Sequence, residues 1–301
     1  MASTQDLKRR VRSITNTRKV TRAMELVASA RLRRAQMRIE AMRPYADRML
    51  ELIAGVSKAA GSVRLPLLER REQVARVAIL PVTADRGLAG GFNAQVIRRS
   101  LALQREHQAE GREVVWFSTG RKAASTLRFR RLDVAQSWTG FSERPGYDNA
   151  QAVAHAVAEA YTNGDVDAVF LVYNAFVSAL TQRVTVRELL PIPTEVLHGA
   201  EGEGDEESEA PELANPDFIY EPEPEEILAR LLPVYVETEL YRALLESAAS
   251  EQGARMTAMR NASKAAGELI DSLTLAMNRA RQAEITQEIL EVVAGADALA
   301  G

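Results

Sequence analysis

The stretch EILARLLPVYVETELYRALL, Glu226–Leu245, places an apolar residue at every fourth position along its length. These residues are Leu228, Leu232, Val236, Leu240 and Leu244. A spacing of four puts them on one side of an α-helix, and similar spacing continues to about residue 298. The pattern predicts a helix over residues 225–301, on the order of 100 Å long at 1.5 Å per residue. Pro233 is expected to kink or interrupt this helix close to its start.

A second helical pattern lies at the other end of the chain. From Leu7 to Val56 the apolar residues recur mostly every three or four positions, and only one proline, Pro44, falls among them. The pattern predicts a helix over residues 1–58 about 80 Å long, whereas helices of globular proteins average about three turns. Each helix has an apolar stripe that must be buried, and an antiparallel coiled coil would bury both. A plain helical bundle with an inserted domain fits the same pattern.

Between the helical ends, residues 70–195 change character. Short apolar runs alternate with helical patterns, which predicts an α/β domain with a small parallel or mixed sheet. The predicted strands are 74–80, 113–118, 168–173 and 181–190, and the predicted helices are 93–107, 121–127 and 148–161. Residues 196–224 are predicted to form an acidic loop. Gly199–Pro211 should be poorly ordered because it has few apolar side chains to bury.

Charge is distributed unevenly along a chain whose formal net charge is −3. Met1–Arg48 contains thirteen Lys or Arg against four Asp or Glu, whereas Gly199–Glu226 contains twelve acids and no base. The basic helix could bind nucleic acid, and it could equally pass through an acidic protein sleeve. The low aromatic content, 5% of residues, speaks against base stacking, so we expect no nucleic acid partner.

Three features missing from the sequence narrow the class of protein. There is no cysteine, which excludes disulfides, a thiol nucleophile and cysteine-ligated metals. No stretch approaches the roughly 18 uninterrupted apolar residues of a transmembrane helix. The N-terminus also lacks the apolar core of a signal peptide and does not resemble a transit peptide. We therefore expect a cytoplasmic protein whose contact with a membrane passes through a partner.

The turn DRGLAGGFN, Asp85–Asn93, follows a predicted strand and opens a helix, as phosphate-binding loops do. It lacks both the G-x-G-x-x-G pattern and a following Gly-Lys-Ser/Thr, so a tight structural turn is favoured. His107, His155 and His198 lack metal-ligand spacing, and no nucleophile, base and acid pattern is present. We expect no cofactor, metal, small-molecule substrate or catalytic residue. A nucleotide-binding α/β enzyme with helical arms remains the alternative, and a basic coiled-coil DNA binder is a third class.

Three motifs at the two ends and in the middle carry a family resemblance. They are KRRVRSITNTRKVTRAMELVA at Lys8–Ala28, DRGLAGGFN at Asp85–Asn93, and SEQGARMTAMRNA at Ser250–Ala262 with its continuation NRARQAEITQEILEVVAGA at Asn278–Ala296. In this order and at these separations they closely resemble the γ subunits of F-type ATP synthases. Ala89 stands where many members of the family have cysteine. The chloroplast regulatory cysteine pair is impossible here, which suggests a bacterial type.

The resemblance implies a fold, a role and a set of partners. The fold class is α/β, with two very long terminal helices in an antiparallel coiled coil and a central Rossmann-like α/β domain. The implied role is that of the central-stalk rotor, without chemistry of its own, which couples c-ring rotation to ATP synthesis or hydrolysis. The implied partners are the α and β subunits in an α3β3 hexamer, the ε subunit and the c-ring. Such a subunit is peripheral, at the cytoplasmic face of the inner plasma membrane.

The resemblance also suggests which residues contact the hexamer. On a helix, Ile285 and Ile289 lie within about 40° of each other and form an apolar seam. Four polar residues flank that seam and are predicted to form a polar catch that favours one rotor angle through charge-assisted hydrogen bonds. The polar catch consists of Arg281, Gln282, Thr286 and Glu288. Arg255, with Met24 on the facing helix, is predicted to form a second contact zone. Solvated flanks of an ordinary amphipathic helix are the alternative.

A second predicted contact lies just before the last helix. Phe218, Tyr220 and Glu221 belong to a short aromatic and apolar segment that follows the acidic loop. Its position in the family pattern implies contact with the polar loops of the c-ring. The alternative is that this segment packs onto its own domain. Gly199–Pro211 itself is expected not to couple rotation.

Overall fold

A computed structural model describes residues 4–61, 65–198 and 220–300 of the chain. The six helices of this described part are α1 Thr4–Ala60, α2 Phe92–Ala109, α3 Arg121–Phe129, α4 Tyr147–Thr162, α5 Glu195–His198 and α6 Pro224–Ala300. Its five strands are β1 Arg76–Pro81, β2 Glu113–Thr119, β3 Val134–Trp138, β4 Ala168–Phe176 and β5 Gln182–Leu190. The expectations for Gly199–Pro211 and for Phe218 fall outside the described residues.

Both terminal segments form the long helices that their periodicity predicts. Helix α1 has 57 residues and helix α6 has 77. Helix α6 runs through Pro233, so an interruption there is wrong, while a kink at this proline stays a prediction. Proline removes one backbone hydrogen bond, but Leu232 and Val236 on either side are each only 1% exposed. Burial of these neighbours holds the backbone helical across the proline.

The sheet is mixed, with strand order β3-β2-β1-β4-β5. Strands β3, β2, β1 and β4 pair in parallel, and β5 pairs with β4 antiparallel at one edge. The sequence pattern did not predict β3. Two of its five residues, Gln136 and Ser137, are polar, and only part of the strand is shielded from solvent. A strand at the edge of a sheet pairs on one side only, and this one is too short and too polar for its apolar residues to form a recognisable strand pattern.

Apolar side chains on the two faces of the sheet form two cores. On one face, Ala78 and Leu80 of β1 pack with Val153 and Val157 of α4 and with apolar residues of α1 and α6. On the other face, Ile79 packs in a cluster supplied mainly by α2, α3 and β2. Since β1 and β4 are covered on both faces, they read in the sequence as continuous apolar runs.

The chain divides into two compact units. One consists of the helix α1 residues up to Ala28 and the helix α6 residues from Arg255 onward. The other extends from Ser29 to Ala254 and holds the sheet with its helices. Among the described residues, no helix is both long enough and apolar enough to cross a bilayer.

Candidate functional site

The two chain ends pair as antiparallel helices within the first unit. Thr4 Oγ1 donates a hydrogen bond of 2.7 Å to Oε2 of Glu284. Further along, the Arg18 guanidinium lies beside Gly267, and Arg260 bonds Glu25. Residue numbers rise along α1 while those of its partners fall along α6, which is the antiparallel order that the apolar stripes predict.

Glu25 joins the N-terminal and C-terminal motifs. Its residue surface is 6% exposed, and its two carboxylate oxygens accept hydrogen bonds of 3.0 Å from Arg260 Nε and from Arg22 Nη1. The hydrogen bond from Arg260, supported by the charge of Arg22, outweighs burial and holds the pKa of Glu25 below its usual value of 4.5. Glu25 is therefore held charged at neutral pH, and it pairs its turn of α1 with the turn of α6 that carries Arg260.

The predicted apolar stripe of α1 is only partly buried. Ala28 is 1% exposed, but Val27, one of the apolar residues between Leu7 and Val56 that form the predicted stripe, is 51% exposed. The neighbouring Leu26 is 62% exposed. A single partner helix covers only a narrow face, so the small residue takes the contact and the larger ones remain outside it. Leu26 and Val27 therefore lie open on the surface of α1.

The polar catch is exposed throughout. Its residues Arg281, Gln282, Thr286 and Glu288 are all exposed, and the intervening seam residues Ile285 and Ile289 are 47% and 58% exposed. Thr286 Oγ1 donates to the carbonyl of Gln282, which orients this hydroxyl along its own helix. The structure thus leaves the seam and its polar flanks open rather than packing them within the chain.

The second predicted contact zone differs from the polar catch. Met24 is half-buried, and Arg255 is 6% exposed. An arginine this deeply buried is paired or hydrogen-bonded, which favours a structural role in the chain itself. A direct contact of Arg255 with another subunit stays a prediction.

The glycine-rich turn is held by hydrogen bonds within the chain. Asp85 accepts from the backbone N–H groups of Arg121, Gly140 and Ser142, at 3.0, 2.8 and 3.2 Å. Asn93 Oδ1 accepts from the N–H of Ala84 at 2.8 Å. One carboxylate therefore ties together the loops that follow β1, β2 and β3, at the edge of the sheet where α/β proteins commonly bind ligands.

The central and C-terminal motifs meet at the same edge of the sheet. Ser250 Oγ donates 3.0 Å to the carbonyl of Asn174, and Asn174 Nδ2 donates 3.3 Å to the carbonyl of Phe92. Ala254 packs against the small apolar cluster that Phe92 forms with Ala84 and Ala89. A Cβ on Gly253 would lie 2.9 Å from the carbonyl oxygen of Ala179, so only glycine allows this approach. Helix α6 is thereby docked onto the carboxyl ends of β1 and β4.

The predicted c-ring contact is described only in part. Tyr220 is half-buried and packs against the main core of the α/β unit, while Glu221 is exposed. Phe218 lies outside the described residues. Packing of Tyr220 onto its own domain agrees with the alternative for that residue, and the exposure of Glu221 leaves that side chain free to meet a partner.

Sequence reasoning missed a cluster of buried carboxylates on α6. Glu237 is 5% exposed and accepts a 2.7 Å hydrogen bond from Tyr147 Oη, with His155 Nε2 at 3.1 Å. Glu239, also 5% exposed, pairs with Arg187 of β5. The partners lie 50 to 90 positions away in sequence, so periodicity could not reveal them. The signal that could have drawn attention is two acids inside a strongly apolar helix.

Comparison with known proteins gives a consistent result. The family described as ATP synthase matches residues 3–299. The chain is 47% identical to the ATP synthase γ chain of Rubrobacter xylanophilus over 100% of this chain and 99% of that relative. It is 44% identical to the ATP synthase γ chain of Desulforamulus reducens over 99% of this chain and 100% of the relative.

Solved structures show the same fold. A chain of the Tetrahymena thermophila mitochondrial ATP synthase central stalk and c-ring structure is 27% identical, with a TM-score of 0.58 over 81% of this chain and 99% of that one. A chain of the Euglena gracilis mitochondrial ATP synthase OSCP, F1 and c-ring structure is 18% identical, with a TM-score of 0.67 over 98% and 94%. The second likeness concerns the fold alone.

Proposed function

The chain belongs to the ATP synthase γ chain family, and from this membership we propose that it is the rotor subunit of a central stalk. In this role it couples rotation of a c-ring to ATP synthesis or hydrolysis in an α3β3 hexamer. The observation that carries the proposal is the antiparallel pairing of the two chain ends, locked by Glu25 and Arg260. The division into segments 1–58, 70–195, 196–224 and 225–301 stays a prediction.

The proposed subunit takes part in the reaction without catalysing it. Support comes from the turn Asp85–Asn93, whose carboxylate and amide groups are engaged by backbone groups of neighbouring loops. Nucleotide chemistry then belongs to the hexamer. The rotor acts because it contacts each catalytic site differently as it turns, which shifts the populations of the conformations of that site.

The proposed partners are the α and β subunits, the ε subunit and the c-ring. Support comes from the family membership and from the exposed apolar side chains near the C-terminus of α6, including Leu290, Val292 and Val293 at 63%, 72% and 50% exposure. A hexamer sleeve would cover this surface. We place the complex at the cytoplasmic face of a bacterial plasma membrane, where the c-ring alone contacts lipid.

Within this assembly, the polar catch is proposed to contact the hexamer. Glu221 is proposed to contact the c-ring, and Tyr220 positions Glu221 by packing against the core of its own domain. Arg255 and Met24 are proposed to mark a second zone of hexamer contact. Because Arg255 is buried, we propose that it stabilises the packing of the two helices in this zone. Met24 is less buried and is the side chain that we propose contacts the hexamer.

Reconstitution tests the proposal directly. The purified chain should assemble with α and β subunits into a complex with ATPase activity, and a membrane extract passed over the immobilised chain should yield the same hexamer. The isolated chain should bind ATP no more tightly than a background protein. Submicromolar nucleotide binding by the chain alone, with no hexamer captured, would favour the α/β enzyme instead.

A further inference from the structure

A small cavity rich in arginine lies between α1, α6 and the loop that leads into α4, within the unit Ser29–Ala254. Its volume is about 230 Å³. Sites for drug-sized molecules usually measure roughly 300–1,000 Å³, so this cavity suits a smaller ligand. Among the described residues, its charged lining consists of Arg31, Arg34, Arg38, Glu143 and Arg144.

The four arginines approach the cavity from two elements. Arg31, Arg34 and Arg38 lie within about 60° of one another around α1, since successive residues of a helix are about 100° apart. Arg144 belongs to the loop between β3 and α4. Like charges three or four positions apart on a helix repel one another and destabilise it. The fold therefore gathers positive charges whose repulsion a bound anion would relieve.

The glutamate of the cavity is already shared between two arginines. Glu143 forms an ion pair with Arg31, and its Oε1 lies 3.6 Å from Nη1 of Arg86. Among the described residues, the other three arginines of the cavity form no salt bridge. One of them, Arg34, donates a hydrogen bond to a carbonyl of its own helix. An arginine has five N–H donors, so most donors of these three side chains remain available to a ligand.

We propose that this cavity binds the phosphate group of inorganic phosphate or of a small phosphate ester. Guanidinium groups form paired, charge-assisted hydrogen bonds with phosphate oxygens. Three guanidinium groups without a counter-ion match a phosphate, which can carry two charges and offers several oxygens, better than they match a single carboxylate. Because a bound phosphate contacts both α1 and the loop before α4, it stabilises their packing.

Calorimetric titration of the full chain with phosphate, acetate and glycerol 3-phosphate tests this assignment. All titrations use one ionic strength, so that general screening of charge is the same in each. Phosphate should bind saturably, and acetate at least about tenfold more weakly, because acetate has less charge and fewer oxygens. If glycerol 3-phosphate binds more weakly than phosphate, the ligand is the free anion. If it binds as tightly or more tightly, the ligand is a phosphate ester.

Two variants and a matched control localise the binding. Arg38→Gln removes the charge of a half-buried lining residue and should weaken phosphate binding about tenfold. Arg34→Gln should weaken it about threefold, because Arg34 is exposed and its charge is better screened. Arg33→Gln is the control. Arg33 is exposed, lies about 100° from Arg34 around α1 and is not part of the lining, so its loss should leave the affinity unchanged.

Two results would overturn the proposal. The first is the absence of saturable phosphate binding by the unmodified chain up to about 10 mM, which would leave these arginines to carboxylates of a partner protein. The second is equal weakening by Arg33→Gln and Arg34→Gln, because general charge and not the cavity would then attract the anion. If Arg38→Gln does not fold, the comparison of Arg34→Gln with Arg33→Gln decides alone.

Discussion

Arg260 Nε lies 3.0 Å from Glu25 Oε1 and joins two residues that are 235 positions apart in the sequence. Each residue belongs to a motif that carries the family resemblance, so the two ends of the chain meet through them. The hydrogen bond pairs the turn of α1 that holds Glu25 with the turn of α6 that holds Arg260. The first two predictions concern this pair.

Removing either partner should loosen the helix pair. In a double-mutant cycle with Glu25→Gln and Arg260→Ala, the coupling energy should be about 1 kcal/mol, since Glu25 is buried but the Arg260 side chain is 55% exposed. Hydrogen exchange of the backbone amides around Glu25 measures the opening free energy. Glu268→Gln, an exposed charge change on the same helix, is the control and should have little effect. A coupling energy near zero would leave the register to packing alone.

The same carboxylate should make the helix pair sensitive to acid. Because the Arg260 hydrogen bond lowers the pKa of Glu25 in the folded chain, its contribution to stability is present above the unfolded pKa, near 4.5. The contribution is lost as the pH falls through the lowered, folded-state pKa. Thermal unfolding followed by circular dichroism should separate the unmodified chain from Glu25→Gln at pH 7, and the difference should shrink as the pH falls below the unfolded pKa and vanish below the folded-state pKa. A difference independent of pH contradicts this prediction.

Crosslinking can read the order of the two helices directly. The chain has no cysteine, so introduced thiols are unique. Thr4→Cys with Glu284→Cys should crosslink efficiently with a short bismaleimide, because these side chains are in hydrogen-bonding contact at 2.7 Å. Thr4→Cys with Gly267→Cys is the matched control and should not crosslink, since Gly267 lies beside Arg18 instead. The reverse result would require a different register or direction.

Weakening the polar catch should impair function without impairing assembly. Arg281→Ala with Gln282→Ala should leave the complex intact and reduce ATP turnover or coupling by about tenfold, because charge-assisted hydrogen bonds to the hexamer are lost. Met24→Lys is a separate variant for the second zone and should act in the same direction. Gln287→Ala, on the opposite side of the helix from Ile285, is the control. Unchanged turnover, coupling and angular dwells in both test variants would reduce the catch to solvated surface.

The segment before α6 should touch the c-ring. A photoreactive group at position 221 should crosslink to the ring in assembled complexes, and Glu221→Ala should lower proton-driven ATP synthesis while ATP hydrolysis continues. Tyr220→Phe keeps the aromatic side chain packed against the domain core and should lower ATP synthesis less than Glu221→Ala does. Crosslinks confined to this chain itself would support the alternative, in which the segment serves only its own domain.

Much of the fold could be predicted from the sequence, because periodic apolar patterns are local. The long helices and four of the five strands follow from them. Strand β3 was missed because a short edge strand needs little apolar character, and continuity of α6 through Pro233 depends on burial of Leu232 and Val236 against residues far away in sequence. Periodicity also could not decide that Ala28 would take the helix contact in place of Val27.

The candidate sites were less predictable, since they depend on pairs of distant residues. The motif containing Glu25 could be recognised, but its bond to Arg260 could not be deduced from spacing. Glu237 lies in an apolar stretch and His155 lacks metal-ligand spacing, so neither residue indicates the other, and only the fold brings them within 3.1 Å. The function of an exposed residue such as Arg281 depends on the partner that covers it. The fold therefore leaves the sequence-based prediction for Arg281, a contact with the hexamer, unchanged.

The docking of α6 onto the sheet has a mechanical consequence. The connection runs through Ser250, Asn174 and the backbone of Phe92, with Gly253 pressed against a backbone carbonyl. These side chains have at most two rotatable bonds each, whereas a lysine or arginine contact would have four or more. Such a joint has few torsions that could absorb a twisting load before it reaches the strands. In this chain α6 occupies the edge of the sheet at which α/β enzymes commonly bind their substrates.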